Sequence, residues 1–316
     1  MRGSLTSPTR SVVEKEINTD FPLALNIEPT NDCNLRCRVC PRNLGKREVG
    51  YMDFNLYKKI VDEAAGRKKL KMLNFHKDGE STLHPMLFDM IRHAKEKDIA
   101  NVIHMNTNAV LLSEKYAGRL MDTGIDDITI SLDAFKKETY KKIKGSDCFD
   151  IVENNIVRFF NLRSKKGLDK PFTRIKIMWY EDTKDDIEPF IEKWRPIADD
   201  VQVSAVHTWG DAIKNITTTY NKPRKRYPCI LLWYMMAVNW DGSVSICNID
   251  WNLTGKIGSV RENSLHNIWN SHRMKEIRKE HLNGNFSFVE VCDGCNVWTE
   301  AEDMGESLSR KKEFYE

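Results

Sequence analysis

The cysteines are the residues of this 316-residue chain best suited to chemistry, and seven of the eight fall into two groups. The first group, Cys33-Asn34-Leu35-Arg36-Cys37-Arg38-Val39-Cys40, sets three thiols at C-x3-C-x2-C spacing. Three thiolates on one short stretch can wrap a compact metal centre. An iron–sulfur cube needs four ligands, so three cysteines leave one iron open to an outside molecule. A tetrahedral structural zinc would want a fourth protein ligand close by, and none is obvious in the stretch. The spacing also differs from the ferredoxin runs. A zinc knuckle or a chance grouping is the plainer alternative for these residues taken alone. The second group is Cys229, Cys247, Cys292 and Cys295, the last two as C-x2-C. Four thiolates can fully ligate either one zinc ion or one cluster. Cys148 stands alone.

The first group resembles the signature loop of the radical S-adenosylmethionine (radical SAM) enzymes, with Val39 where that family usually has an aromatic residue. The resemblance implies that the open iron is chelated by the amino and carboxylate groups of S-adenosylmethionine. Further segments follow in the family's order. Lys77-Asp78-Gly79-Glu80 resembles its G-G-E motif, with Asp78 in place of the first glycine. Asp78, Gly79 and Glu80 are therefore expected at the cofactor's amino group. Asn106-Thr107-Asn108 resembles the T-N-G segment, with Ala109 in place of glycine, and adds Asn108 to the site. Ser131 and Asp133 resemble positions that contact ribose hydroxyls. Lys144 stands where relatives often have arginine for the cofactor carboxylate, and supplies its charge without its fork. The order C…G-x4-C…C-x2-C at the second group resembles the C-terminal extension called SPASM, or its shortened relative called twitch. The full form holds two auxiliary clusters on seven cysteines. Four cysteines here imply one auxiliary [4Fe-4S] cluster, hence two clusters in all. The resemblance covers about residues 22 to 300.

These residues need a scaffold, and the sequence between them alternates strands with helices. Short apolar strands are expected at Leu23–Ile27, Met72–Phe75, Asn101–Met105, Ile128–Leu132, Arg174–Trp179 and Val201–Val206. Helices are expected from Asp53, as cap, through Lys69, near Met86–Lys97, from the cap Ser113 to before Gly124, on either side of Gly145, and near Ile187–Trp194. Six such strand-and-helix units argue for a parallel sheet wound by right-handed crossovers, and the radical SAM resemblance implies an α/β fold, an open partial (β/α)6 barrel. Chemistry in parallel β/α barrels collects at the C-terminal ends of the strands. Beyond residue 212 the pattern changes. Asp241-Gly242 between alternating apolar residues predicts a hairpin, and a helix is expected around Leu265–His281, on which His281 reads as a polar helix position. The expected organisation is a flexible segment at 1–20, the barrel at 21–211, and an auxiliary-cluster domain with tail at 212–316.

The composition sets limits. Hydrophobic content of 41% is ordinary for a folded domain. A formal charge of +3, from 49 basic and 46 acidic side chains, makes no nucleic-acid footprint, and Lys222–Arg226 reads as a solvated linker. The longest apolar run, Ile230–Val238, is too short for a bilayer, and no apolar signal segment opens the chain. A cytoplasmic protein without membrane or nucleic-acid partner is expected.

The resemblance implies a one-electron reduction of S-adenosylmethionine, fed by a flavodoxin- or ferredoxin-type reductant, to a 5′-deoxyadenosyl radical that takes hydrogen from a substrate. Relatives with one auxiliary cluster dehydrogenate a carbinol carbon of aminocyclitols, which makes a sugar or aminocyclitol-like small molecule the expected substrate. With only some twenty residues before the first strand, a peptide substrate with its leader-binding domain is the lesser expectation. Epimerisation is another alternative, with Cys148 returning hydrogen to the opposite face. His76, Lys77, Glu181 and His207, near strand ends, are candidates to bind substrate or remove its proton. A non-enzymatic metal-binding scaffold is the alternative from a different class.

Overall fold

In the computed structural model the described residues are 20–213 and 226–298. The N-terminal segment before Asp20, the linker up to Arg226 and the C-terminal tail lie outside them.

Six parallel strands form the scaffold: β1 (Ala24–Ile27), β2 (Leu70–Phe75), β3 (Ala100–Thr107), β4 (Asp127–Ser131), β5 (Phe172–Trp179) and β6 (Asp200–Ala205). They lie side by side in chain order, as sequential right-handed winding requires. Their helices are α1 (Phe54–Ala65), α2 (Leu87–Glu96), α3 (Glu114–Met121), α4 (Lys137–Lys144), α5 (Phe149–Lys165) and α6 (Ile187–Trp194). The caps act where the sequence places them: Asp53 accepts from Leu56 N and Ser113 from Tyr116 N. Helix α1 stops at Ala65, four residues short of the expected end. Gly66 closes it, and β2 already begins at Leu70.

One face of each strand is apolar. Leu25, Ile27, Leu73, Phe75, Ile103, Met105, Ile128, Ile130, Ile175 and Ile177 join the main core with the helices. Period-2 alternation turns the other set inward; Ala24, Met72 and Val102 join an apolar cluster with Leu23, Ile230 and Met235 there, and the members further along the strands are mostly polar. Asn74 donates to Asn26 (2.6 Å), and Arg174 clamps Asp127 with two nitrogens (2.6 and 3.0 Å). His104 reaches Asp127 and Asn106. The concave side of the open barrel is therefore a polar chamber.

The C-terminal part continues the same sheet. A one-turn helix α7 (Leu231–Tyr234) leads to β7 (Met235–Val238), which pairs in parallel with β1. The predicted hairpin at Asp241-Gly242 then joins β7 to β8 (Ser243–Ser245), followed by β9 (Lys256–Ser259). At the other edge, Thr208, just beyond β6, donates through its hydroxyl to Gly294 O (2.7 Å) and through its N–H to Asn296 (3.0 Å). The C-terminal part thus reaches both edges of the open sheet. The single helix expected at Leu265–His281 is two: α8 (Leu265–Trp269), capped by Ser264, and α9 (His272–Leu282), capped by Ser271. Ser271 accepts from Met274 N, so its side chain starts a new helix instead of continuing the old one. A last turn, α10 (Glu290–Asp293), carries Cys292.

Candidate active site

The loop after β1 holds Cys33, Cys37 and Cys40, all half-buried. Its backbone is braced from two sides. Arg38 N donates to Ile143 O (2.8 Å) and Arg36 N to Lys144 O (3.4 Å), so the loop uses carbonyls at the C-terminus of α4 that the helix leaves free. Gly145 ends α4 at φ +66, where a Cβ would meet Arg36 O at 2.9 Å. On the other side Glu80 N donates to Asp32 O (2.7 Å). Gly79 lies against that backbone so closely that a Cβ would come within 2.2 Å of Thr30 O. Val39 turns away from solvent into a cluster with Ile143, Tyr180 and Val206.

Of the residues matched to cofactor contacts, Glu80, Asn108, Asp133 and Lys144 surround this loop. Asn108 Nδ2 lies 3.9 Å from Cys33 Sγ and donates to Asn34 (2.7 Å). Lys144 Nζ donates to Asp133 (2.6 Å) and to Ser131 O (2.9 Å), and both charged side chains are almost fully buried. Burial works against the Lys144 charge, but Asp133, with Cys37 beyond it, holds the ammonium above the ordinary lysine range. The other carboxylate oxygen, Asp133 Oδ1, is buried and accepts no hydrogen bond from the described residues. A buried acceptor left open beside a cysteine loop fits a ligand hydroxyl. Ala109 holds the glycine position of the T-N-G pattern at φ +59, a conformation that costs an L-residue about 1–2 kcal/mol.

Glu80 is fully engaged within the protein. Its Oε1 accepts from Thr82 N (3.2 Å), Thr82 Oγ1 (2.6 Å) and Thr107 Oγ1 (2.8 Å), and its Oε2 from Asn108 N (2.7 Å). A glutamine here must point its amide nitrogen at one of two backbone N–H donors. Glu80→Gln is therefore expected to destabilise the fold by about 1–3 kcal/mol and to misplace Asn108. Denaturant melts check it, and an unchanged midpoint would contradict the expectation.

Asp78 belongs to a buried charge network. Arg47 donates to both oxygens of Glu28 (2.6 and 3.0 Å) and to Asp78 (2.9 Å), and Lys77 donates to Asp78 (2.6 Å) and to Asp250 O (3.0 Å). Burial first, then the Glu28 charge, pushes the Asp78 carboxyl up against the pull of Lys77 and Arg47. Lys77 is thus tied to the C-terminal part. Arg47 and Glu28, which the sequence did not single out, carry the network.

The remaining candidates scatter. Half-buried His76 faces the chamber, its pKa held down to about 3 by burial, then by Lys176, His104 and Lys77. Lys176 is an addition: strand alternation puts it, half-buried, on the Arg174 face. Glu181 is exposed and pairs with Lys184. His207 stands edge-on to Trp209, ring centroids 5.7 Å apart, at the junction with the C-terminal part. Cys148 sits between α4 and α5 in the helical layer, its sulfur in contact with Tyr140 OH (3.4 Å) and Ser146 Oγ (3.2 Å).

The second cysteine group converges. Cys229, Cys247, Cys292 and Cys295 line one cavity, whose other walls include Leu231, Ile246, Val291 and Trp298. No three His, Cys, Asp or Glu side chains among the described residues gather around a point that a single metal ion could fill. One tetrahedral zinc at a bond length of about 2.3 Å would draw its thiolates to about 4 Å from one another. A cubane spreads its ligands over four irons, and no described trio of such side chains is gathered as one zinc ion needs. Burial pushes the Cys40 and Cys247 thiols up to about 12 from an ordinary 9.0. The unfolded chain therefore sheds these protons first, and the metal-free fold loses stability as pH rises through about 9 toward 12. Ligation deprotonates the thiols outright. The melting temperature of metal-free protein is expected to fall as pH rises from about 9 to about 11, while that of iron-loaded protein does not.

The sequence profile of the radical SAM superfamily matches residues 27–193, and that of the SPASM iron–sulfur cluster-binding domain matches residues 229–296. The chain belongs to the radical SAM superfamily and carries a SPASM domain. It is a radical SAM enzyme, and the two domains imply S-adenosylmethionine and [4Fe-4S] ligation. Over 154 residues it is 30% identical to the tungsten-containing aldehyde ferredoxin oxidoreductase cofactor-modifying protein of Pyrococcus furiosus, covering 49% of this chain and 43% of that one. Over 148 residues it is 32% identical to the mycofactocin maturase MftC of Mycobacterium tuberculosis, covering 46% and 37%. These matches span less than half the length of either relative. Among solved structures, BtrN in complex with AdoMet and 2-DOIA superposes with a TM-score of 0.60 at 19% identity, over 87% of this chain and 93% of that one. Streptococcus suis SuiB bound to its precursor peptide SuiA superposes with a TM-score of 0.68 at 16% identity, over 85% and 69%. No helix among the described residues is long and apolar enough to cross a membrane.

Proposed function

We propose that this enzyme dehydrogenates a carbinol carbon of a sugar or aminocyclitol-like small molecule, using two [4Fe-4S] clusters. The observation that carries the proposal is the cavity lined by all four C-terminal cysteines. A cluster ligated by four thiolates has no open iron, which suits it to taking an electron and not to activating a substrate. When bound at the three-cysteine loop, S-adenosylmethionine and its cluster supply a 5′-deoxyadenosyl radical. Conversion of carbinol to carbonyl would give up one hydrogen atom, which the radical would take, one electron, for which the four C-terminal cysteines would hold the accepting cluster, and one proton, which would pass to solvent.

The chain's own residues bind and orient. Cys33, Cys37 and Cys40 hold the first cluster. Asp133 Oδ1 accepts a ribose hydroxyl, and Glu80 fixes Asn108 beside Cys33. In the chamber, neutral His76 accepts a hydrogen bond from the substrate hydroxyl. The Lys176 charge beside it favours loss of that hydroxyl proton. Exposed Arg36 and Arg38 next to the cluster loop suit an acidic flavodoxin- or ferredoxin-type reductant. Eight cysteines outside any disulfide suit a reducing, cytoplasmic compartment.

A second reading, radical modification of a peptide, draws on the superposition with peptide-bound SuiB and the similarity to a maturase. The test is anaerobic reconstitution, then dithionite, S-adenosylmethionine and a panel of aminocyclitols in deuterated water. The expected result is one 5′-deoxyadenosine per carbonyl formed, no solvent deuterium in recovered substrate, and full activity for Cys148→Ala. Deuterium at an inverted carbon, with Cys148→Ala arrested, would establish epimerisation instead. No cleavage of S-adenosylmethionine under any condition would leave a metal-binding scaffold.

A further inference from the structure

We infer that His281 donates a hydrogen bond from Nε2 to a sulfur of the cluster held by Cys229, Cys247, Cys292 and Cys295, and so raises that cluster's reduction potential. The inference rests on reading those cysteines as an auxiliary cluster site.

His281 ends the buried stripe Met274, Ile277, Arg278, His281 of α9. It is 1% exposed and lines the same cavity as the four cysteines. The N–H of Cys229 donates to its Nδ1 at 3.4 Å. Nδ1 therefore carries the lone pair, and the proton of the neutral ring sits on Nε2. Nε2 is buried and bonds to nothing among the described residues.

A buried N–H without an acceptor is costly, and its presence in a native core asks for a partner. The side chains lining the cavity narrow the choice. Apart from the cysteines they are aliphatic, the donor-only Trp298 and the donor-only Arg226. As the side chains stand, no cysteine sulfur is bonded to Nε2, which leaves the sulfide of a bound cluster as its acceptor. Phe286 stands edge-on to the imidazole, ring centroids 5.3 Å apart, and fixes its plane. Hydrogen bonds to the sulfurs are among the determinants of cluster potential. Donation favours the reduced state because that state carries the extra negative charge. A cluster that collects an electron from oxidised substrate gains driving force in that direction. His281 is thus a positioning and tuning residue that does not touch the reacting atoms.

The test uses the full chain with Cys33, Cys37 and Cys40 all replaced by alanine, so that iron and electron paramagnetic resonance report on the second site alone. About four irons per chain must load. Failure to load would remove the cluster reading, and the proposal with it. In the loaded chain, a redox titration of His281→Leu is expected to show a reduction equilibrium about tenfold less favourable, a shift of about 59 mV to more negative potential. His281→Gln, which restores an N–H donor, is expected to recover most of it. An unchanged potential in a fully loaded His281→Leu chain would overturn the proposal. If that variant fails to take up iron, the deciding measurement is on intact His281 with 15N-labelled histidine. Electron–nuclear double resonance of the reduced cluster is expected to show 15N coupling, and its absence overturns the hydrogen bond.

Discussion

Replacing Cys33, Cys37 and Cys40 together by alanine is expected to abolish cleavage of S-adenosylmethionine and to cut iron from about eight to about four per chain. Loss should be complete because the open iron exists only if these three thiolates hold the other three. Asn108, the polar side chain found against Cys33, offers an amide, a poor ligand for a soft iron–sulfur centre. The fold should survive. The loop's backbone bonds run to Ile143 O, Lys144 O and Asp32 O, none of which needs the sulfurs. The three cysteines are half-buried, so alanine opens no sealed cavity. Circular dichroism together with iron and sulfide analysis separates loss of a site from loss of structure. A protein that bound only zinc, tightly and at either group, would refute the cluster assignment.

How much of this site could be read from the chain follows from how local each part is. The cysteine loop was legible because its three thiols lie within eight residues, and spacing alone limits what they can hold. The strands were legible because each carries a period-2 pattern with one apolar face, from Leu25 and Ile27 to Ile175 and Ile177. The same alternation contained Lys176, since Arg174-Ile175-Lys176-Ile177 sets both cations on one face. What it lacked was the knowledge that this face lines a chamber. The network of Arg47, Glu28, Asp78 and Lys77 was not legible: Arg47 meets Glu28 across 19 residues and Lys77 meets Asp250 O across 173. Long-range pairs of this kind leave no periodic trace. Glu80 stands beside the cysteine loop, but its four bonds to Thr82, Thr107 and Asn108 point inward, which a motif match could not convey. The break between α8 and α9 had a signal, Ser271, that competes with the helical periodicity around it. His281 was the last step of a buried stripe, and only the closure of the fold brings that stripe to the four cysteines.

The pair Lys144 and Asp133 carries the second large effect, and variants can divide its structural from its binding role. Both side chains are almost wholly buried and meet at 2.6 Å. Removing one partner strands the other charge, so Lys144→Met and Asp133→Asn are each expected to cost about 3–5 kcal/mol of stability. The double variant should recover much of that, because no uncompensated charge remains. Affinity for S-adenosylmethionine should follow a different order. Asp133 Oδ1 is the open acceptor; a hydrogen bond to a charged group contributes about 1.5–3 kcal/mol, roughly tenfold to a hundredfold in Kd. Asp133→Ala should lose that much, with a further stability cost because φ +60 disfavours alanine. Asparagine tolerates that backbone and keeps a carbonyl acceptor, so Asp133→Asn should bind the cofactor more tightly than Asp133→Ala despite a comparable loss of the ion pair. Calorimetry on iron-loaded protein without reductant reads Kd, and denaturant melts read stability. Equal affinities for Asp133→Ala and the unsubstituted enzyme would remove Asp133 from the ribose contact and leave it only as the counter-ion of Lys144.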